Sequence, residues 1–250
     1  MIEKETAEKE VLIMKENITL TDVKIIDVYD NVEFDSNFQT GFGFGCIVKL
    51  KDKTILFDTG SDSPTLLSNI DTAGIKPEEI DIVFLSHIHG DHTGGLLGFL
   101  EKNSDVKVYV PSSFPASFKN EIKSTGAQLF EVSSSAKIAD GAYSTGELGI
   151  GIREQSLIID TEKGLIVITG CAHPGIVNIV GKAKEMLDKN IYLVMGGFHQ
   201  PPVSVVEEFR KLGVERVAPS HCTGDQAINA FAEEYKDDFI KSGVGKIIES

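Results

Sequence analysis

Basic residues are scarce in this sequence: 24 lysines and arginines stand against 38 aspartates and glutamates, which gives a formal charge of −14 at pH 7. Because a field of this sign repels polyanions, the composition disfavours nonspecific binding to nucleic acid and to anionic membrane surfaces. The first residues include acidic side chains and no apolar segment, so they support neither a signal peptide nor a membrane span. We therefore expect neither nucleic acid nor membrane among the partners.

Cysteine is scarce as well, with three residues in 250. A small odd number does not form a disulfide framework and fits a reducing compartment, so we expect a cytoplasmic protein. No linker is visible. Apolar residues make up 41% of the chain, which is enough to form a substantial buried core. We expect one domain over residues 1–250, with residues 1–16 as a flexible or helical leader. A glycine loop of the Walker type is absent from the sequence, so any phosphate would have to rest on other groups.

Three of the six histidines and one aspartate fall within six residues, as His87, His89, Asp91 and His92. The apolar run 80–85 before them is typical of a strand, and apolar residues at helical spacing follow them. Side chains two apart on an extended backbone point the same way, so the first two histidines can bind one ion while the turn directs Asp91 and His92 toward a second. The segment predicts a metal-binding loop with two half-sites.

The other three histidines, His173, His199 and His221, each come shortly after an apolar run. Histidines that served only packing or solubility would also fall on helix faces, and the chain has no histidine outside these positions. Because the ends of strands can meet at one edge of a folded sheet, we expect the six histidines to gather in one site.

The spacing of apolar residues predicts a mixed α and β chain whose two halves resemble each other. Predicted strands cover 18–28, 44–50, 54–57, 80–85, 106–110, 128–132, 143–148, 155–159, 165–169, 191–195, 214–218 and 245–248. Predicted helices cover 64–71, 96–100, 117–124, 177–187, 203–212 and 227–235. The aromatic-rich loop 30–45 either forms a flap over a substrate or plugs a sheet edge, and the sequence leaves both open.

The segment 87–92, His-Ile-His-Gly-Asp-His, resembles the His-X-His-X-Asp-His signature of the metallo-β-lactamase-fold superfamily. Four further segments look like one subgroup, the 7,8-dihydropterin-6-yl-methyl-4-(β-D-ribofuranosyl)aminobenzene 5'-phosphate synthases and their many relatives of unknown substrate. These segments are Phe57-Asp58-Thr59-Gly60, Thr169-Gly170-Cys171-Ala172-His173-Pro174-Gly175, Gly196-Gly197-Phe198-His199 and Ser220-His221-Cys222-Thr223-Gly224. The resemblance implies an α/β fold of four layers, an αββα sandwich with two sheets face to face and helices outside.

The resemblance also implies which residues bind metal. Two sets of ligands follow from it: His87 and His89 for one ion, and Asp91, His92 and His221 for the other. Asp58 would stand behind the ligands and accept the second ring N–H of a metal-bound histidine. Loss of such a partner typically costs about 10–100-fold in metal affinity or activity.

The sequence departs from the superfamily pattern in two places. Many of these hydrolases have a further histidine before the strand near residue 155, where this chain has Glu154. They also have an aspartate after the position of Gly170, where this chain has Cys171-Ala172-His173. We predict that His173 supplies the missing ligand, and that the second ion binds more weakly, exchanges or is absent. We expect Cys171 to shape a tight turn behind the ligands, while coordination by its thiolate stays open.

His199 follows Gly196-Gly197, where the absence of side chains lets the backbone approach a bulky group. We expect His199 beside the substrate, as a general acid, as a donor to a phosphate or carboxylate, or as a reserve ligand. Imidazole and carboxylate ligands allow zinc, manganese or iron, so we expect one or two divalent ions, with zinc as the first choice. A redox di-iron site is disfavoured because His89 stands where such relatives of the fold have glutamate.

This ligand set predicts a metal-dependent hydrolase that acts on a phosphoester, lactone or thioester bond in a small molecule. A zinc-like ion lowers the pKa of its water toward about 7, and Asp91 would orient the resulting hydroxide and carry its proton. Two alternatives stay open: a transferase like the synthases of the subgroup, which join phosphorylated substrates, and a non-catalytic metal-dependent binding protein. The sequence leaves the substrate and the oligomeric state undefined.

Overall fold

Two β-sheets face each other in the computed structural model of the chain, which describes residues 22–249. The predicted leader 1–16 lies outside the described residues, as does the first part of the predicted strand 18–28. In chain order the strands are β1 (Lys24–Tyr29), β2 (Gly45–Lys49), β3 (Thr54–Phe57), β4 (Ile82–Phe84), β5 (Lys107–Pro111), β6 (Gln128–Val132), β7 (Ala136–Ala139), β8 (Ala142–Ser144), β9 (Leu157–Thr161), β10 (Gly164–Thr169), β11 (Ile191–Gly197), β12 (Arg216–Ser220) and β13 (Ile247–Glu249).

Each sheet combines a parallel and an antiparallel half. The first sheet has the order β13-β1-β2-β3-β4-β5-β6, with parallel pairs from β3 to β6 and antiparallel pairs elsewhere. The second has the order β12-β11-β10-β9-β8-β7, with parallel pairs from β10 to β12 and antiparallel pairs elsewhere. Each half of the chain therefore builds one sheet, and β13 returns to the edge of the first.

The helices lie outside the sheets. They are α1 (Ser63–Thr72), α2 (Gly90–Thr93), α3 (Leu96–Leu100), α4 (Ala116–Ser124), α5 (Ile176–Leu187), α6 (Val205–Leu212) and α7 (Asp225–Tyr235). The start of α1 is well defined, because the Asp62 side chain accepts a hydrogen bond from the Thr65 N–H at 2.8 Å and Pro64 occupies the first turn. Tyr29 of β1 donates to the other oxygen of Asp62 at 2.6 Å, which ties this helix to the sheet.

Three apolar clusters separate the four layers, as a sandwich requires. Strand β10 shows how a single strand contributes side chains to two of these clusters. Ile166 and Ile168 belong to the cluster between the sheets, whereas Leu165 and Val167 belong to the cluster beneath α5, α6 and α7. Because side chains alternate between the faces of a strand, an uninterrupted apolar run covers both faces. The predicted four-layer αββα sandwich is confirmed.

The structure differs from the predicted elements in a few details. The predicted strand 143–148 ends at Ser144, because the chain turns at Gly146, whose φ is 76°. Strand β7 was not predicted, since this edge strand has a single large apolar residue, Ile138. Within residues 22–249, no helix combines the length and the apolar composition that crossing a membrane requires.

Candidate metal centre

The predicted site residues come together at one edge of the sandwich, where five strands end. Strand β3 leads to Asp58, β4 to His87, β10 to His173, β11 to His199 and β12 to His221. Parallel strands end at the same edge of a sheet, and the two sheets face each other, so the loops that follow them meet. The six histidines form one continuous set of ring contacts, with centroid separations between 4.2 and 4.9 Å.

The first set of candidate donors, the three-histidine group, consists of His87, His89 and His173. Their ligand nitrogens lie within 4.8 Å of one another. Nε2 of His87 is 3.1 Å from Nδ1 of His89. Nε2 of His173 is buried and has no hydrogen-bond partner. Burial of an imidazole nitrogen without a partner is costly, so this atom has the surroundings of a ligand rather than of a packing residue.

The second set, the four-donor group, consists of Asp91, His92, Cys171 and His221. Nε2 of His92 is 3.2 Å from Nε2 of His221, 3.3 Å from Sγ of Cys171 and 3.5 Å from Oδ2 of Asp91. Sequence reasoning favoured a position behind the ligands for Cys171. Its sulfur instead lies among the candidate donors, in the place where the superfamily pattern has an aspartate.

Asp58 holds two of the histidines in a defined orientation. Its Oδ1 accepts a hydrogen bond from the Ser86 N–H at 2.7 Å, and its Oδ2 accepts from the Ser86 hydroxyl at 2.6 Å and from Nδ1 of His92 at 2.7 Å. Since the Ser86 hydroxyl uses its proton on Asp58, its oxygen can accept from Nδ1 of His87, which is 2.9 Å away. Nδ1 then carries the proton in both rings, and Nε2 presents a lone pair.

His221 is fixed in the same way from the loop before β2. Oδ1 of Asn31 accepts a hydrogen bond from the Gly43 N–H at 2.8 Å and from Nδ1 of His221 at 3.0 Å. Nε2 of His221 therefore presents its lone pair to Nε2 of His92. The partners that select these tautomers come from elements far apart in the sequence.

Burial and neighbouring charges shift the pKa values of several residues in the site. Burial, followed by the neighbouring histidines, lowers the pKa of His87 and lowers that of His173 to about 4. Burial also disfavours charge on His92, but the Asp58 carboxylate outweighs this and raises its pKa. For Asp91, burial is outweighed by His221 and His92, which lower its pKa to about 2. The site thus favours neutral imidazoles at His87 and His173 and an ionised carboxylate at Asp91.

Both groups fit a divalent ion. Two nitrogens bound to one zinc ion at about 2.0–2.1 Å in a tetrahedron lie roughly 3.3 Å apart. The observed separations of 3.1 Å in the three-histidine group and 3.2 Å in the four-donor group are close to this value. A cation placed between two such nitrogens could bind both, so the donor chemistry matches metal binding.

Sequence reasoning missed the part that Glu154 plays in this site. The carboxylate is buried and accepts four consecutive backbone N–H groups, those of Gly170, Cys171 and Ala172 at 3.1, 3.1 and 2.9 Å and that of His173 at 2.8 Å. Burial raises the pKa of Glu154 to about 6, against the opposing effect of these bonds. The only signal in the sequence was an acidic residue in the place of the expected histidine.

Backbone strain is concentrated around the site. Seven non-glycine residues among the described ones have a left-handed φ. Five of them belong to the site, with φ between 46° and 60°: Asp58, Ala172, His199, Gln200 and His221. Such conformations cost energy and persist only where neighbouring structure holds them. At Gln200 one such restraint is the hydrogen bond that its N–H donates to the Cys222 carbonyl at 3.0 Å. This distribution points to a functional edge of the fold.

His199 belongs to neither of these two groups, but it forms a third candidate group with Cys171 and Cys222, whose donor atoms lie within 4.8 Å of one another. Its exposed ring packs beside His173, with centroids 4.4 Å apart. A cavity of about 240 Å³ opens beside both rings and is lined by Ala172, His173, Gly175, Ile176, Val177, Asn178, Phe198, His199, Gln200, Pro201, Pro202 and Val205. A larger cavity of about 550 Å³ lies near the β2–β3 turn, at the opposite end of the strands, and does not adjoin the histidines.

The aromatic loop before β2 places its phenylalanines in two different surroundings. Phe44 is buried in the core between the sheets and contacts Phe57, with ring centroids 6.1 Å apart. Phe42 is 67% exposed and meets the ring of His221 edge-on at 5.8 Å. One phenylalanine therefore fills the core, and another flanks the metal centre.

Comparison with known proteins agrees with this geometry. The family model of the metallo-beta-lactamase superfamily matches residues 45–221. A 7,8-dihydropterin-6-methyl-4-(beta-D-ribofuranosyl)-aminobenzene-5'-phosphate synthase of Methanocaldococcus jannaschii is 32% identical over 88% of this chain and 94% of its own length.

Solved structures agree as well. Tm1679, named a metal-dependent hydrolase of the beta-lactamase superfamily, has a TM-score of 0.77 and 27% identity, covering 91% of this chain and 99% of its own. The short form of human tRNase Z has the same fold, with a TM-score of 0.57 and 15% identity over 90% of this chain and 98% of its own. The fold implies binding of divalent metal, for which the structure has candidate ligands. The chain belongs to the metallo-beta-lactamase superfamily.

Proposed function

We propose that this protein is a metal-dependent hydrolase with a two-ion site, acting on a phosphoester, lactone or thioester bond of a small molecule. The observation that carries the proposal is the convergence of two adjoining donor groups whose imidazole lone pairs point inward. In a binding protein one metal site would suffice, whereas two adjoining sites suit the activation of water and of the bond to be cleaved.

We assign the three-histidine group to one ion and the four-donor group to the other. The assignment of His87, His89, Asp91, His92, His173 and His221 follows the sequence prediction. It adds Cys171, because a sulfur 3.3 Å from Nε2 of His92 is within the range of two ligands on one ion. Asp58 then acts as a positioning residue through His92 and Ser86. Zinc suits this donor set best. A thiol in the place of a carboxylate makes the site less favourable for manganese.

When bound, the ions would supply an activated water and an electrophile that polarises the bond to be cleaved. The protein contributes the remaining steps. Asp91, 17% exposed at its side chain, can accept the proton of the attacking water. His199, exposed beside His173, can donate a proton to the leaving group. The substrate would enter along the cavity beside His199.

A transferase is the second candidate, because a synthase is 32% identical over most of its length. In this case Asp91 and His199 would orient two phosphorylated substrates, and a diphosphate would leave. None of the residues that line the cavity beside His199 is a lysine or an arginine. The phosphates would therefore rest on the metal centre and on backbone N–H groups, since side-chain cations do not line this cavity.

The test supplies purified, zinc-loaded protein with a phosphodiester, a lactone and a thioester in ¹⁸O-labelled water, and separately with a dihydropterin diphosphate plus ribofuranosylaminobenzene 5'-phosphate. Hydrolysis predicts one ¹⁸O atom in the product of a single substrate. Diphosphate release only when both pterin-reaction substrates are present would establish the transferase instead. A protein that retains two ions and turns over none of these substrates would favour a non-catalytic binding protein. The control is the double variant His87→Ala/His89→Ala, which should be inactive in every arm.

A further inference from the structure

Cys171 and Cys222 bring two thiols together across the second sheet. Cys171 follows β10 and Cys222 follows β12, 51 residues later. Their Sγ atoms lie within 4.8 Å of each other, and Sγ of Cys222 is 3.8 Å from the carbonyl oxygen of Cys171. Gly197 at the end of β11 makes this approach possible, because a Cβ atom there would lie 2.7 Å from the Cys222 sulfur.

The sulfur of Cys171 lies between the four-donor group and the sulfur of Cys222. On one side it is 3.3 Å from Nε2 of His92 in the four-donor group, and on the other it adjoins the sulfur of Cys222. The two residues differ in access, since Cys171 is buried and Cys222 is partly exposed. The third cysteine, Cys46, is buried in the core between the sheets. An oxidant that enters the metal centre therefore meets Cys222 first, with Cys171 directly behind it.

We propose that Cys171 and Cys222 form a modification site, a thiol pair that a hydroperoxide converts to a disulfide. The Cys222 sulfur attacks the peroxide oxygen, the O–O bond breaks, and a sulfenic acid forms with release of the remaining oxygen as water or alcohol. The Cys171 sulfur then attacks the Cys222 sulfur, the S–O bond breaks and water leaves. In total, two thiols give up two electrons and two protons, and the peroxide is reduced by two electrons.

The disulfide would remove one donor from the four-donor group. A sulfur–sulfur bond is about 2.05 Å long, so closing it draws Sγ of Cys171 toward Cys222 and away from His92. The three-histidine group contains no cysteine and would keep its three nitrogens. Oxidation would thus leave three donors, Asp91, His92 and His221, in the four-donor group and weaken the binding of its ion. This consequence rests on the proposed function, whereas formation of the disulfide does not.

The experiment treats the full-length protein, stripped of metal by a chelator, with a small excess of hydrogen peroxide. Peptide mapping without reductant should find a cross-link between Cys171 and Cys222, reversible by dithiothreitol, with Cys46 still reduced. Cys46→Ser should give the same cross-link, and Cys222→Ser should give none. Zinc-loaded protein should cross-link at least ten times more slowly, because Cys171 is then engaged.

Oxidation of Cys222 to sulfinic acid without a cross-link would overturn the thiol pair, as would a cross-link that involves Cys46. Zinc binding after oxidation separates this proposal from the proposed function. Weaker binding of one of the two ions by the cross-linked protein than by the reduced protein is the expected result. Binding of both ions with unchanged affinity despite the cross-link would support the thiol pair and overturn the ligand role of Cys171.

Discussion

The carboxylate of Glu154 accepts a hydrogen bond from the backbone N–H of His173 at 2.8 Å. Its other oxygen accepts bonds from the N–H groups of the three preceding residues. A residue that replaces a histidine of the superfamily pattern thus supports the loop in which His173 lies. Glu154 acts through this loop, since its carboxylate is occupied by the backbone.

Glu154→Gln should weaken metal binding by about 10–100-fold, the usual effect of losing a partner behind the ligands. The amide has the same shape, but its nitrogen is a donor, so glutamine can keep only the N–H groups that bond one of the two carboxylate oxygens and must lose the other bond or bonds. Competition with a chromophoric chelator measures the affinity, and circular dichroism checks the fold. Glu162→Gln, at an exposed turn between β9 and β10, is the matched control. Unchanged affinity in a folded Glu154→Gln protein would contradict this positioning role.

His173 and His199 should have different functions although their rings are in contact. His173→Ala should lose bound metal and activity together, because it leaves two donors in the three-histidine group. His199→Ala should keep its metal and lose about 10²–10⁴-fold in turnover, the range for a general acid or base. Elemental analysis and steady-state kinetics on both variants decide the matter. Metal lost from His199→Ala and kept in His173→Ala would exchange the two assignments.

Asp58→Asn tests the hydrogen bond that fixes His92. Asparagine tolerates the left-handed backbone at this position, where φ is 53°, so the turn should survive. An amide nitrogen in place of Oδ2 could not accept from Nδ1 of His92, and the ring would lose its fixed tautomer. We expect metal affinity to fall by about 10–100-fold. The exposed Asp52→Asn is the control, and equal affinities of the two variants would refute the role of Asp58.

Asp27 should make the stability of the fold depend on pH. Burial, and then the charge of Asp30, raises the pKa of Asp27 to about 8, against the opposing effects of Ser242, Gly243 and Lys246. Between pH about 4 and 8 the folded protein therefore holds a proton that the unfolded chain has released. The free energy of unfolding should fall as pH rises through this window, with the full contribution present at its acid end.

Asp27→Asn should remove this part of the pH dependence, because the amide does not ionise and its oxygen can still accept from the Ser242 hydroxyl, which is 2.6 Å from Asp27. Urea unfolding at several pH values within the window measures the slope for both proteins. Asp105→Asn, at an exposed position, is the control. If the slope persisted unchanged in Asp27→Asn, another group would be responsible.

Local sequence determined much of this protein. Continuous apolar runs marked many strands, since a strand buried on both faces, between the other sheet and a helix layer, is apolar throughout, as in β10. The spacing of His87, His89, Asp91 and His92 predicted a metal-binding loop, because strand and turn geometry over six residues fix where those side chains point, and the structure places them in two candidate donor groups. The three remaining histidines could be recognised because each follows a predicted strand.

Only the tertiary structure decided how the donors are divided and held. Nε2 of His92 meets Nε2 of His221, 129 residues away, and no local pattern encodes that distance. The tautomers depend on Asp58 and Asn31, which reach the rings from separate loops. The positions of Cys171 and Glu154 could not be read from the chain either, because a thiol or a buried carboxylate becomes a donor or a support only when other strands bring its partners within hydrogen-bond range.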